Sequence, residues 1–213
     1  MKPLYTTIAK ESQAEIIEKR SRFIATVKPV KTEEEALAFL AELRQKYWNA
    51  THNVYAYIIE ENNIMRYSDD GEPGGTAGLP VLDMLKKEGL TNLIVVVTRY
   101  FGGVLLGTGG LVHAYSKSAK AGVLAAGLVD MILCRKITLS CEYTLLGKLQ
   151  NLLANYPGVI QEEAEYTDKA SLPLFLPEGD ADAFCASVTD KMNAQVEIFS
   201  GDTLYHGKPR ILP

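Results

Sequence analysis

The sequence predicts an α+β protein with two domains, and three observations support this class. The 213 residues are 47% hydrophobic and 23% charged, which suits one large or two small domains with an ordinary core. Alternating patterns typical of strands and helical patterns follow one another along the first part of the chain. From Lys136 the predicted order becomes βαββαβ, the ferredoxin-like plan. We therefore predict one domain over residues 1–133 and a ferredoxin-like domain over residues 136–206, without a Pro- or Gly-rich linker.

The chain begins with two predicted strands and a helix. Residues 14–18 and 22–30 alternate apolar with polar side chains, which is the period of a half-buried strand. Thr32 and Glu35 then form a capping box, which predicts the start of a helix. Apolar residues recur on one face of that helix: Leu37, Leu40, Leu43 and Tyr47.

Five more elements complete the predicted N-terminal domain. Residues 53–60 and 64–68 form a hairpin around a turn-like Glu-Asn-Asn sequence. A helix is predicted over residues 79–89, followed by a β-branched strand over residues 93–98 that is buried on both faces. The long helix over residues 110–126 has small residues on one face, which permits close packing on a sheet: Ala114, Ser118, Ala121, Gly122 and Ala125.

The C-terminal domain has its own succession of patterns, from which the ferredoxin-like plan follows. The predicted elements are a strand at 136–143, a helix at 144–156, strands at 158–167 and 170–177, a helix at 180–192 and a strand at 194–205.

The net charge of −4 is unevenly distributed. Residues 1–135 carry 16 Lys and Arg against 15 Asp and Glu, a net charge of +1, whereas residues 136–213 carry 6 against 11, a net charge of −5. Because attraction to phosphate needs Lys and Arg, neither half is a basic nucleic-acid binder by composition. Any polyanion must therefore be bound by a local patch, and no DNA partner is expected.

The composition also predicts the compartment. No apolar run approaches the roughly 18 residues that cross a bilayer, and residues 1–10 lack the apolar stretch of a secretory signal. We therefore predict a cytoplasmic protein with no membrane partner. Cys134, Cys141 and Cys185 form no CxxC pair, so we interpret them as buried reduced thiols.

The stretch SDDGEPGGTAG, residues 68–78, combines three carboxylates with four glycines. Carboxylates bind hard cations, but this loop lacks the spacing of an EF-hand, and no metal site is predicted. An Asp-Gly turn that leads into a helix is the simpler interpretation. A simple turn, however, needs only one or two positive-φ positions, so the additional glycines weaken this interpretation.

His52 is a residue for which the sequence leaves two chemical roles open. A single histidine at the end of a helix-to-strand loop is typical of a hydrogen-bonded structural residue. An acid/base role remains an alternative, because Asp and Glu follow the next hairpin.

The stretch TRYFGGVLLGTGGLVHAYSKSAK, residues 98–120, predicts an anion site. A buried strand ends, a Gly-rich loop follows and a helix begins at once, so free N–H groups meet a positive helix end. The stretch is neither a Walker loop nor a dinucleotide fingerprint. The alternative is that the glycines only let helix and strand approach closely. The predicted ligand-binding residues are Arg99, Tyr100, Gly102, Gly103, Gly107, Thr108, Gly109, Gly110, His113 and Lys117. Lys120 continues the basic stripe of His113 and Lys117 on one helical face.

The chain resembles the YigZ/IMPACT family over nearly its whole length. Three segments, in this order, match the family signature: HNVYAYIIE, SDDGEPGGTAGLPVLDML and VVVTRYFGGVLLGTGGLVHAYSKSA. The resemblance implies that the N-terminal domain is similar to the second domain of a small-subunit ribosomal protein, a sheet with helices on one face. It implies that the C-terminal domain resembles the last domain of elongation factor G. Where many members have Arg or a similar residue, this chain has His113.

The resemblance also implies a link to translation and a candidate groove. The groove residues are His52, Asp69, Asp70, Glu72, Gly74, Gly75 and Thr76, together with Arg99, Tyr100 and the second glycine-rich loop. Eukaryotic members restrain a kinase that inhibits translation initiation during starvation, a stress response whose kinase role is not transferred to this chain. We predict a non-enzymatic, translation-associated or regulatory protein, without a cofactor, that binds RNA, the ribosome or another phosphate-bearing ligand through the N-domain loops. Two alternatives are an enzyme on a small phosphorylated metabolite and a pure protein-interaction module. The acids would orient Arg99 and Lys117 or hold a cation against phosphate, and the acidic C-terminal domain is assigned to protein contact.

Overall fold

The structure, a computed structural model, describes residues 4–210 and contains two sheets and five α-helices within that range. In chain order the elements are β1 (Tyr5–Ile8), β2 (Ser12–Glu18), β3 (Ser21–Pro29), α1 (Glu33–Lys46), β4 (His52–Ile59), β5 (Ile64–Ser68), α2 (Gly78–Lys87), β6 (Leu93–Tyr100), α3 (Thr108–Ala126), β7 (Leu128–Cys141), α4 (Tyr143–Ala154), β8 (Ile160–Gln161), β9 (Glu165–Tyr166), β10 (Ala170–Pro177), α5 (Glu178–Lys191) and β11 (Glu197–Pro209). The predicted α+β class is confirmed.

The described chain divides into two compact units. The N unit comprises residues 5–130 and 208–210, and the C unit comprises residue 4 and residues 131–207. The division falls within β7 and within β11.

The N unit is built on a five-stranded antiparallel sheet with the order β2-β3-β6-β4-β5. The central strand β6 is buried from Leu93 to Arg99, as its uninterrupted β-branched sequence predicts. It pairs with β4 so that Arg99 lies opposite His52. The sheet therefore brings two predicted site residues to neighbouring strand ends.

Helices cover both faces of this sheet. Val95 and Val97 face a core that includes α2 and α3, whereas Ile94 and Val96 face a separate core with α1. This differs from the expected arrangement with helices on one face. The difference arises because alternate residues of a strand point to opposite faces, and β6 is apolar on both.

The small face of α3 accounts for its close packing on β3. A Cβ added to Gly122 would lie 3.0 Å from both the Ala25 Cβ and the Val27 Cγ1 atoms. Ala114 and Ser118 of the same face are buried, so these small residues let the helix approach the sheet closely.

The C unit has the strand order of a ferredoxin-like domain. β7 lies between β11 and β10, and β10 pairs in turn with the short strands β8 and β9. Helices α4 and α5 contribute Leu149, Leu153, Phe184 and Val188 to a core with the sheet. A separate cavity of about 390 Å³ is lined by residues of the sheet strands and of the β8–β9 segment, all of them polar except Pro173. These residues are Lys136, Thr138, Glu162, Glu163, Glu165, Ser171 and Pro173.

Several boundaries differ from the sequence-based expectation. The pattern does not predict β1, and β7 begins at Leu128 rather than at Lys136. The predicted strand at 158–167 is reduced to the two-residue strands β8 and β9. The helix expected from Gly110 begins at Thr108, because Gly107 ends the loop with a φ of 75°.

Candidate functional site

The first carboxylate of the loop between β5 and α2, Asp69, binds backbone amides at and just before the start of α2. Asp69 accepts hydrogen bonds from the backbone N–H groups of Gly75, Ala77 and Gly78 at 2.8, 3.0 and 2.8 Å. Amides at the start of a helix have no intrahelical partner, so Asp69 acts as a distant cap. Position 78 requires glycine because the Ser68 backbone packs against it: an added Cβ would lie 2.6 Å from the Ser68 carbonyl oxygen.

The second carboxylate, Asp70, connects this loop to α1 and β4. Its Oδ1 atom accepts a hydrogen bond from Arg44 at 3.0 Å, and its Oδ2 atom accepts one from the Asn53 backbone N–H at 2.6 Å. The Asp70 carbonyl oxygen lies 2.7 Å from His52 Nδ1. Because a carbonyl only accepts, Nδ1 carries the proton, and His52 Nε2 is left available to the cavity described below.

The third carboxylate, Glu72, is buried, with 3% of its side chain exposed. Its Oε1 atom accepts hydrogen bonds from Arg99 Nη1 at 2.5 Å and from the Tyr115 hydroxyl at 2.7 Å. His52 Nε2 lies 3.8 Å from the same oxygen. Burial and the neighbouring Glu72 carboxylate raise the pKa of Tyr115, so its hydroxyl stays a neutral donor at ordinary pH. The polar cluster thus joins the loop, β4, β6 and α3.

Arg99 is held on several sides at the end of β6. Its guanidinium carbon lies 5.3 Å from the Phe23 ring centroid and 5.5 Å from that of Phe101. Its Nη2 atom donates to Ser21 Oγ at 3.4 Å, while its buried Nε atom has no hydrogen-bond partner among residues 4–210. With Glu72 beside it, Arg99 is a fixed and compensated donor rather than a free surface charge.

The glycine-rich loop after β6 approaches the β2–β3 hairpin closely. A Cβ on Gly102 would lie 2.1 Å from the carbonyl carbon and oxygen of Arg20, so only glycine fits there. Gly103 and Gly107 have φ values of 79° and 75°, in the left-handed region that favours glycine.

The start of α3 is uncapped. Gly107 is the N-cap residue and supplies no side chain, and the first turn contains no acidic residue. The Leu111 N–H reaches the Gly107 carbonyl, but within the described chain the N–H groups of residues 108–110 have no hydrogen-bond partner. These amides and the helix dipole favour negative charge at this point.

The two glycine-rich loops meet at one cavity of about 460 Å³. It is lined by Thr51, His52, Gly71, Glu72, Pro73, Arg99, Phe101, Leu105, Leu106, Gly107, Thr108 and Leu111. We call it the loop cavity. Five predicted site residues line it: His52, Glu72, Arg99, Gly107 and Thr108.

Other predicted residues lie elsewhere. Gly75, His113 and Lys117 line a second cavity of about 640 Å³ between α2 and α3. The ammonium group of Lys117 lies 3.8 Å from Glu18 and that of Lys120 lies 2.9 Å from Glu88, so both charges have acidic neighbours. The remaining predicted residues line neither of these two cavities: Asp69, Asp70, Gly74, Thr76, Tyr100, Gly102, Gly103, Gly109 and Gly110.

Sequence reasoning missed Tyr115 and the apolar residues of the loop cavity. Phe101 and Leu105 stand in the quoted glycine-rich loop, where large apolar side chains are 46% and 83% exposed. Large apolar residues in a glycine-rich loop are the signal of binding that the sequence already contained. Tyr115 gave no such signal, because an aromatic residue on a helix is typical of a core.

The described residues contain neither a metal-binding cluster nor a membrane-spanning helix. Within residues 4–210, no group of three or more His, Cys, Asp or Glu side chains is arranged to hold a metal ion. No helix in that range is both long enough and apolar enough to cross a membrane.

Two family descriptions match the chain. The family described as Impact N-terminal domain matches residues 19–123, and the one described as Domain of unknown function (DUF1949) matches residues 139–195.

Several proteins are similar to this chain over most of its length. The protein named IMPACT family member YvyE of Bacillus subtilis (strain 168) is 40% identical over 202 residues, which cover 94% of this chain and 93% of that protein. IMPACT family member YigZ of Escherichia coli (strain K12) is 32% identical over 185 residues, covering 85% and 90%. Protein IMPACT of Mus musculus is 39% identical over 98 residues, covering 43% and 30%.

A solved structure described as "Crystal structure of an hypothetical protein" is also similar, with a TM-score of 0.59 and 29% sequence identity. The match covers 95% of this chain and 99% of that chain.

Proposed function

Because the chain belongs to the IMPACT family, we propose that it is a non-enzymatic, translation-associated protein whose N unit binds a phosphate-bearing ligand, RNA on the ribosome, in the loop cavity. The observation that carries this proposal is the uncapped start of α3 at that cavity. Free N–H groups and the positive end of a 19-residue helix favour phosphate there.

The surroundings of the helix start agree with an anion. The Thr108 hydroxyl lines the same cavity and can donate a hydrogen bond to a phosphate oxygen. The Glu72 carboxylate is neutralised by Arg99, so it does not oppose a phosphate with a full free charge. A volume of about 460 Å³ is in the range of small-molecule sites, enough for a phosphate and its adjoining sugar.

The C unit is assigned to protein contact rather than to RNA. Glu162, Glu163 and Glu165 line its polar cavity, and one nearby lysine, Lys136, pairs with Glu162 at 3.4 Å. An acidic surface repels phosphate, so RNA contact belongs to the N unit.

The test uses Thr108 rather than Arg99, because removing Arg99 would leave Glu72 buried and unpaired. Thr108→Glu places a carboxylate in the first turn of α3, where it favours the helix but competes with a bound anion. Thr108→Gln is the uncharged control of the same shape. We expect wild type and Thr108→Gln to co-sediment with ribosomes at physiological salt and Thr108→Glu to be lost from the pellet.

Two results would contradict the proposal. One is a wild-type protein that does not co-sediment at low or at physiological salt. The other is a Thr108→Glu variant that is retained as well as the glutamine control.

A second candidate function is catalysis on a small phosphorylated metabolite, favoured by the orientation of His52. Its Nδ1 atom is fixed by the Asp70 carbonyl and its Nε2 atom lies 3.8 Å from Glu72, an arrangement suited to general acid/base work. A thermal-shift screen of nucleotides and phosphorylated metabolites distinguishes this candidate. A ligand at 100 times its Kd stabilises the protein by about 2.7 kcal/mol, and no shift with any compound would count against it.

A further inference from the structure

The tip of the β2–β3 hairpin has basic residues in a backbone conformation that favours other residue types. Glu18 pairs with Ser21, so the turn between the strands consists of Lys19 and Arg20. Their φ values are 44° and 67°. Positive φ at both central positions is the pattern of a type I′ turn, for which Asn-Gly is strongly preferred. The presence of Lys and Arg in a strained turn points to a use for their side chains.

The charges of these two residues are not compensated. Lys19 and Arg20 are both exposed, and neither forms an ion pair or a side-chain hydrogen bond with any residue in the described range. Arg22, two residues further on, differs because it pairs with Glu15 at 3.0 Å. The tip of the hairpin therefore presents two free cations to solvent.

Exposed aromatic rings lie beside this turn. Gly102 packs directly on the Arg20 backbone, which places its neighbour Phe101, 46% exposed, next to the tip. The Phe101 N–H donates to Thr51 Oγ1 at 3.0 Å, which fixes Phe101 against the loop after α1. Trp48, in that same loop, is 81% exposed.

A second contact ties Trp48 to the same strand end. The Tyr100 hydroxyl donates to Asn49 Oδ1 at 3.0 Å, so the residue that follows Trp48 is bonded to the residue that precedes Phe101. Arg22 lies 5.5 Å from the Tyr100 ring centroid, which joins the hairpin to this cluster. Two free cations and two exposed rings thus lie at the same end of strands β3, β6 and β4 in the N unit.

We propose that the surface formed by Lys19, Arg20, Trp48 and Phe101, the tip surface, binds single-stranded RNA. Phosphates contact the hairpin tip, and bases stack on the rings. Proteins that bind single strands combine a positive track for the backbone with aromatic platforms for the bases. A paired duplex hides its base faces, so rings on the surface favour an unpaired strand. The inference rests on the proposed function, because it names the RNA partner and extends the site beyond the loop cavity.

The test variant replaces the strained turn by the sequence that its geometry prefers. Lys19→Asn with Arg20→Gly removes both charges and should leave the midpoint of thermal unfolding equal or higher. The matched control, Lys86→Asn with Lys87→Asn, removes the same charge from exposed positions at the end of α2. The readout is fluorescence anisotropy of a labelled, mixed-sequence single-stranded RNA of about 12 nucleotides over a salt series.

We expect the hairpin variant to bind this RNA at least about tenfold more weakly than the control at physiological salt. The slope of log K against log salt should become less negative by about 1.4, since each single-strand phosphate contact contributes about 0.7. Trp48→Ala should weaken binding about tenfold without changing the slope, because stacking releases no counterions.

Three results would overturn the inference. The first is no binding of the RNA by wild type, and the second is unchanged affinity and slope in the folded hairpin variant. The third is equal binding of duplex RNA that is insensitive to Trp48→Ala.

The Thr108→Glu variant distinguishes failure of the tip surface from failure of the proposed function. Ribosome retention that is lost in Thr108→Glu but unchanged in the hairpin variant overturns only the tip surface. RNA binding that is lost in the hairpin variant but unchanged in Thr108→Glu keeps the tip surface and overturns the anion site.

Discussion

Two arginines, one in each unit, pair with carboxylates in opposite surroundings. In the N unit, the Arg99 side chain is 6% exposed and that of Glu72 is 3% exposed. In the C unit, Arg135 is 22% exposed and contacts both Glu178 and Asp182, the latter 88% exposed. A buried pair is costly to break because the remaining charge is left without water, whereas water screens an exposed pair. An Arg–carboxylate pair is therefore part of the buried interior in the N unit and lies at the surface in the C unit.

The two sheets show the same contrast. The N unit covers both faces of its sheet with helices, and its polar cluster lies at one end of that buried structure. The C unit packs α4 and α5 with its sheet and keeps a polar cavity lined by strand residues. Side chains on rigid helices and strands are held more precisely than side chains on loops, and the polar cluster of the N unit has this support from β4, β6 and α3.

The largest expected effect comes from breaking the buried pair. Glu72→Ala leaves Arg99 buried without a counter-charge, so we expect the free energy of unfolding to fall by about 3–5 kcal/mol. Urea unfolding measures the loss, and hydrogen exchange of the β6 amides locates it in the N unit. Glu72→Gln, which keeps an acceptor for Tyr115, should lose less. A loss below about 1 kcal/mol would place this pair in the same class as exposed ones.

The next effect concerns how the helices begin. Asp69 binds three amides at the start of α2, whereas Pro177, the residue before α5, supplies no side-chain hydrogen bond. We expect Asp69→Ala to reduce the free energy of unfolding by about 2 kcal/mol. Asp180→Ala in the first turn of α5 should cost about 0.5 kcal/mol. Equal shifts of the thermal midpoint in the two variants would contradict the expectation that Asp69 stabilises the start of α2 more than Asp180 stabilises the start of α5.

A smaller effect, with a pH signature, is expected from Tyr115→Phe. Loss of the hydroxyl bond to Glu72 should cost about 1.5 kcal/mol at pH 8. The pKa of Tyr115 is raised in the folded state, so its contribution is complete below the unfolded value of about 10 and is lost as pH rises above it. The difference in unfolding free energy between wild type and variant should therefore shrink by about 1.4 kcal/mol per pH unit above pH 10.

Urea unfolding of wild type and Tyr115→Phe at pH 8 and pH 11 provides the measurement. Tyr143 of the C unit, 48% exposed, provides a matched control as Tyr143→Phe. A difference between wild type and Tyr115→Phe that stays constant from pH 8 to pH 11 would contradict the raised pKa.

The smallest effect is expected from the surface pair of the C unit. Glu178→Ala leaves Arg135 in contact with water and with Asp182, so the free energy of unfolding should fall by about 0.5–1 kcal/mol. Added salt should reduce the difference between wild type and variant further. A loss of about 3 kcal/mol in urea unfolding would show that the pair resembles Glu72–Arg99 instead.

Much of the fold could be predicted from local patterns. The uninterrupted sequence LIVVVT indicated a strand buried on both faces, and β6 is buried in this way. The side of the sheet on which α1 packs could not be predicted, because helical periodicity shows that a helix has an apolar face but not which layer it covers.

The candidate site was predicted less completely than the fold. The carboxylates of Asp69, Asp70 and Glu72 look alike in SDDGE, yet the first caps a helix, the second bonds α1 and β4, and the third is buried against Arg99. These different roles depend on partners that are distant in sequence. Composition and spacing predicted the chemical groups, and tertiary pairing alone assigned each group its role.

The central position of β6 has a consequence for how the protein folds. The hairpins β2–β3 and β4–β5 join neighbouring segments, whereas β6 must pair with β3 on one side and β4 on the other. Pairing between distant segments is slower because a longer loop must first be closed. His52 and Arg99 meet only through the β4–β6 pairing, so the loop cavity depends on this long-range pairing. A partner that recognises this cavity therefore binds only an N unit in which β6 has joined both hairpins.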